Sequence, residues 1–157
     1  MSRFCQSPSF EAGWQTLFTY SLNPMTQPTL FVCALCKFPA AESGAGDTPG
    51  GQHLIDQLTN CLATETGSGE ITLQPVRCMA ACDRACNAAL SAPGKLTFIF
   101  NDLSPSQSAP DLAEFCRQYA VAANGKVPYG LRSPAIKQST AYVLPPLLTD
   151  QVPLPVA

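Results

Sequence analysis

The chain has 157 residues, a net charge of -2 and 13% charged residues against 46% hydrophobic ones. A single domain with its own core suits that length, because a chain of this size buries roughly 68–70% of its unfolded surface. The charge balance excludes the basic stripe that nucleic-acid phosphates require. No apolar run reaches the roughly 18 residues of a membrane span.

Residues 1–24 contain Arg3, but Gln6, Ser7, Glu11 and Gln15 interrupt any continuous apolar stretch. No export signal is read there, and the cytoplasm is the expected compartment. Met25 opens a segment running to Cys33 that resembles an ordinary protein start. Residues 1–24 are therefore expected to be an N-terminal arm, disordered or untranslated, with Met25 competing with Met1 as the start.

The main domain is expected over residues 25–125. Leu30-Phe-Val-Cys33 reads as a short buried strand. The Pro-, Gly-, Ala- and Ser-rich residues 39–52 read as a flexible loop. Leu54, Leu58, Cys61 and Leu62 recur at helical spacing, which predicts a helix over about 52–65 ended by Gly67 and Gly69. Ile71-Thr-Leu73 alternates like a strand leading to Pro75 and Cys78.

Ala88-Ala-Leu90 and Leu96-Thr-Phe-Ile-Phe100, joined by Pro93-Gly94, predict a hairpin. Ser108 and Pro110 then suit a helix start, and Leu112, Phe115, Cys116 and Tyr119 line one helical face up to Asn124-Gly125. From 126 to 157, six prolines (Pro128, Pro134, Pro145, Pro146, Pro153 and Pro155) are expected to bar most regular structure. That stretch reads as a Pro-rich C-terminal arm laid over the domain, with a partner-docking strand as the alternative. The element order, strand-helix-strand-hairpin-helix, places the chain in the α/β class with a central mixed sheet flanked by helices.

Of eight cysteines, five are grouped: Cys33 and Cys36, then Cys78, Cys82 and Cys86. Thiolates are soft ligands that select zinc, Cu(I) or iron–sulfur clusters. A C-x-x-C pair bites one metal because a tight turn puts both sulfurs on one side, and the second group can add two or three more. Four thiolates satisfy a tetrahedral zinc or a [2Fe–2S] cluster. Core packing alone provides no reason for such grouping, whereas the single Cys61 and Cys116 lie on apolar helix faces and read as core. Cys5 reads as incidental. His53, the only histidine, reads as a surface residue at a helix start, and one histidine cannot make the His₂ ligation of a Rieske centre. Arg84 either pairs locally with Asp83 or balances the charge of a thiolate site.

The segment Cys78-Met-Ala-Ala-Cys82-Asp-Arg-Ala, followed by two short strands, a loop and a last helix, resembles the C-terminal half of thioredoxin-like [2Fe–2S] ferredoxins. That resemblance implies a thioredoxin-like fold, a [2Fe–2S] cofactor and electron transfer with a redox partner. It makes Cys33 and Cys36 the first ligand pair and Cys78 and Cys82 the third and fourth ligands. Two departures stand out: those ferredoxins space their first pair more widely, and they carry proline where this chain has Cys86. Cys86 is thus a candidate fifth, alternate ligand. A longer pattern over about residues 29–147 also resembles a widespread bacterial family of predicted metal-binding proteins. It includes the C-x-x-C, the C-x-x-x-C-D-R-x-C, Ala92-Pro-Gly-Lys-Leu-Thr-Phe98, Asn101-Asp-Leu103, Arg132-Ser-Pro134 and Val143-Leu-Pro-Pro146.

Two other readings stand beside the ferredoxin-like one. A zinc-binding or metal-handling protein would use the same cysteines and hand metal to a partner. A thiol–disulfide oxidoreductase would use Cys33 and Cys36, with Pro75 roughly where such enzymes keep a cis-proline. Against the latter, Pro39 and a Gly-rich stretch follow the dithiol where a helix should begin. No Ser/His/Asp set, phosphate loop or HExxH is present, so an electron-transfer or metal-binding protein without catalysis of its own is expected. Monomer and homodimer both fit the sequence.

Overall fold

The computed structural model describes residues 27–39, 42, 47–63 and 71–147. The arm at 1–24, both candidate starts, Cys5, Gly67 and Gly69 lie outside them.

Strand β1 (Thr29–Cys33) shows why its sequence folds as it does. Leu30 and Val32 are fully buried while Thr29 and Phe31 are half-buried, the period-2 alternation of a strand with two different faces. Helix α1 (Gly50–Ala63) buries Leu54, Ile55 and Leu58 on one side and returns the chain to β2 (Thr72–Val76), which runs parallel to β1. A parallel pair needs such a crossover. The hairpin of β3 (Ala88–Ser91) and β4 (Thr97–Phe100) then adds antiparallel strands, and β3 lies against β1. Gly94, at φ +69, supplies the left-handed residue of its turn.

Helix α2 (Ser108–Val121) packs on α1 and on the buried sheet face. Its Phe115 and Tyr119 meet Phe98 edge-to-face at 5.0 and 6.1 Å, forming the aromatic centre of the core. Ser108 is the first helical residue rather than the cap; its hydroxyl accepts the Ser104 N–H at 2.8 Å. The parallel β1-α1-β2 unit and the antiparallel hairpin build a mixed sheet in the order β2-β1-β3-β4-β5, which the helices flank in an α/β arrangement.

The fifth strand corrects an expectation. The segment after α2 is more regular than its prolines suggested. Ser133 caps a short helix, α3 (Pro134–Ser139), by accepting the Ile136 N–H at 3.2 Å, and β5 (Thr140–Leu144) pairs antiparallel with β4. Pro134 sits at the first turn, where its missing N–H costs nothing, and Pro145 and Pro146 follow the strand instead of interrupting it. No helix among the described residues is long and apolar enough to cross a membrane.

Candidate functional site

The C-terminal ends of β1 and β2 and the entry to β3 meet at one end of the sheet, and the five grouped cysteines lie there. Cys33 closes β1; its N–H donates to the Asn87 carbonyl at 3.0 Å, and the next N–H, of Ala34, donates to Val76 at 2.8 Å. The Cys33–Cys36 turn is thereby held from both neighbouring strands. Helix α1 seats on this turn from behind, with the Gly51 N–H donating to the Cys36 carbonyl at 2.9 Å. A Cβ at Gly51 would fall 2.0 Å from the Cys33 carbonyl oxygen, so only glycine permits the approach. Gly50 and Gly51 thus belong to the helix, two residues earlier than the glycine-rich sequence suggested.

The cysteines divide into two sets. Cys33 and Cys36 are 3% exposed and Cys86 is fully buried. The Cys36 thiol lies in hydrogen-bonding contact with both Cys33 and Cys86. Cys33 Sγ also points to the Arg77 carbonyl at 4.0 Å and Cys86 Sγ to the Lys37 carbonyl at 3.8 Å. Burial, reinforced by Cys33, raises the Cys36 thiol well above its ordinary value. Burial and the neighbouring Cys36 push Cys86 up to about 12. As free thiols, both keep their protons near neutral pH.

Cys78 and Cys82 are exposed and lie against each other, and the Cys78 charge is the main cause of the raised Cys82 thiol. Between them Ala80 takes φ +57, a left-handed conformation unfavourable for a residue with a Cβ. That geometry sends its N–H to Cys78 Sγ at 3.3 Å. A 3-10 turn, Cys82–Arg84, completes the loop. Arg84 pairs with Asp102, at 2.5 and 2.9 Å, and not with its neighbour Asp83. Beside that pair the backbone is latched: Asp102 N–H donates to Arg84 O at 3.0 Å, and Cys86 and Leu103 exchange hydrogen bonds at 3.2 and 3.1 Å.

Sequence reasoning missed Asn87. It is 2% exposed, and its Nδ2 donates both to Cys36 Sγ at 3.6 Å and to the Ala81 carbonyl at 2.8 Å. Its Oδ1 is buried without a hydrogen-bond partner among the described residues. A polar residue between Cys86 and the apolar strand Ala88–Leu90 was the signal available in the sequence.

The other candidates sort cleanly. Cys116 is fully buried in α2 and Cys61 is half-buried against the core. His53 packs on Phe38 at 5.6 Å. Pro75 lies inside β2 opposite Val32, and the cis peptide bond among the described residues is Ala85–Cys86, so Pro75 does not take the place of a cis-proline beside the dithiol.

Five soft donors in two adjoining sets, with N–H groups on Cys36 and Cys78, suit thiolate-bound metal in kind. Among the described residues no three His, Cys, Asp or Glu side chains already form a group that could hold a metal ion. The buried set and the exposed pair lie at the same end of the sheet as two separate groups.

A family model described as "Protein of unknown function (DUF1636)" matches residues 30–146, and the chain belongs to that family. No curated protein matches. Among solved structures, a thioredoxin-like [2Fe–2S] ferredoxin from Aquifex aeolicus is similar, with 17% identity and a TM-score of 0.40. The match covers 57% of this chain and 78% of that one.

Proposed function

We propose that this member of the DUF1636 family is a cytoplasmic metal-binding protein whose clustered cysteines hold a [2Fe–2S] cluster for one-electron transfer. The observation that carries the reading is the meeting of two cysteine groups, far apart in sequence, at one end of the sheet. Cys33, Cys36, Cys78 and Cys82 are the proposed ligands, and Cys86, in contact with Cys36, is the alternate fifth.

A bound cluster would supply a one-electron couple whose potential depends on burial and on hydrogen bonds to sulfur. The chain provides both. Cys33 and Cys36 exclude water from one side, while the Ala80 and Asn87 N–H groups point at sulfur on Cys78 and Cys36. Exposed Cys78 and Cys82 bring the other side to the surface, where a redox or metal-transfer partner could approach. Leu35, 54% exposed between Cys33 and Cys36, adds an apolar contact at that edge. Thiol–disulfide exchange is supported less well, because Cys33 and Cys36 are both 3% exposed and α1 begins only at Gly50, so no helix N-terminus opens on the dithiol.

Anaerobic purification with iron, sulfide and zinc analysis and a visible spectrum tests the reading. Two irons and two sulfides per chain are expected, and Cys82→Ser should lose them. Full metal content in Cys82→Ser would sink the ligand assignment. One zinc and no colour would replace the cluster with zinc.

A further inference from the structure

We infer that Asn87 is the positioning residue of the cysteine site: its side-chain amide joins the two cysteine groups and donates to the Cys36 sulfur. The inference rests on the ligand reading above and adds a residue outside the cysteines. Asn87 follows Cys86 directly, and its backbone carbonyl accepts the Cys33 N–H at 3.0 Å. Its Nδ2 reaches the first group at Cys36 Sγ and the second at Ala81 O, inside the Cys78–Cys82 loop, at 3.6 and 2.8 Å. One side chain therefore touches the C-x-x-C turn and the C-x-x-x-C loop together.

The Asn87 Oδ1 has no hydrogen-bond partner among the described residues. A buried acceptor without a donor is destabilising, and an apolar side chain of similar shape would avoid that cost. What an apolar residue could not provide is the amide N–H on sulfur. Such a donor stabilises negative charge on a ligand thiolate, and therefore the more negative, reduced state of a bound cluster. Cys36 cannot find a substitute in solvent, since it is 3% exposed.

The test compares the anaerobically purified wild type with Asn87→Leu, which removes the donor at similar volume, and Asn87→Ala, which removes it with a smaller side chain; neither adds a charge. The Ala variant decides the matter if the Leu variant fails to fold. Loaded variants should show a more negative midpoint potential. They should also release metal to a chelator roughly tenfold more readily, the usual scale for losing a partner of a metal ligand. If the wild type carries zinc, the cluster reading fails alone, and the rate of Cys36 alkylation relative to Cys78 replaces the potential: it should rise when the donor is lost. A loaded protein with unchanged potential, or an unchanged Cys36 ratio in the zinc case, overturns the Asn87 inference alone. A wild type that binds no metal overturns both.

Discussion

The buried set Cys33, Cys36 and Cys86 and the exposed pair Cys78 and Cys82 are built by different means. Strand ends, a helix start and a buried amide fix the first: β1 closes at Cys33, β3 follows Cys86, and Gly51 brings α1 against the turn. A loop fixes the second, through a left-handed alanine, a 3-10 turn and a latch to Asp102 and Leu103. The same side chain is thus a buried group in one half and an accessible one in the other. The core determines where the buried half stands, whereas local backbone geometry determines the exposed half. Damage to packing should therefore strike the first far harder than the second.

Gly51→Ala is the strongest way to break that contrast. The added Cβ meets the Cys33 carbonyl oxygen at 2.0 Å, and the next nearest atoms, of Ala34, are backbone too, so no flexible side chain can move away. Separating α1 from the turn should cost about 3 kcal/mol, the upper range of overpacking, read as a fall in the denaturation midpoint. A variant of wild-type stability would show that α1 does not hold the buried cysteines in place.

How much of this could be read from the sequence follows the same division. Period-2 and helical spacing mark β1, the β3–β4 hairpin and α2, because one face of each packs on a continuous core. Strand β5 and helix α3 escape such a reading. They are short, bracketed by prolines, and gain their stability from β4 and α2, which no local pattern announces. The grouping of the cysteines is plain in the chain, but their partition is not. Cys78, Cys82 and Cys86 recur at one spacing, yet Cys86 leaves the loop for the core because β3 begins two residues later. The role of Gly51 and Asn87 depends on atoms distant in sequence, so both look like filler until the fold brings Cys36 beside them.

Cys116→Ala sharpens the contrast from the core side, at a smaller cost. Cys116 is fully buried among α2 residues, and truncating it should cost about 1–2 kcal/mol while leaving metal content unchanged. Lost metal would mean that the division between ligand and core cysteines is wrong. The variant also carries a pH signature. Burial holds the Cys116 thiol at about 12, against an ordinary value of 9.0. The unfolded chain releases this proton first, so the contribution is complete below about pH 9 and is lost as pH rises towards 12. Between those limits the wild type should lose stability more steeply than Cys116→Ala, by at most about 1.4 kcal/mol per pH unit. Parallel curves would contradict the buried, protonated thiol.

The smallest effect is expected where the exposed half looks most firmly tied. Arg84 and Asp102 make the shortest ion pair in the described structure, yet their side chains are 59% and 49% exposed. Water screens such a pair, and ordering two side chains offsets what attraction remains. The backbone does the holding instead, through the paired hydrogen bonds of Cys86 and Leu103 and the Asp102 N–H on Arg84. Asp102→Asn separates the two contributions: it removes the charge, while asparagine tolerates the φ of +55 at that position. The denaturation midpoint should stay where it is, at low and high salt alike. A fall as large as that of Cys116→Ala, disappearing in high salt, would show that charge rather than backbone anchors the Cys78–Cys82 loop.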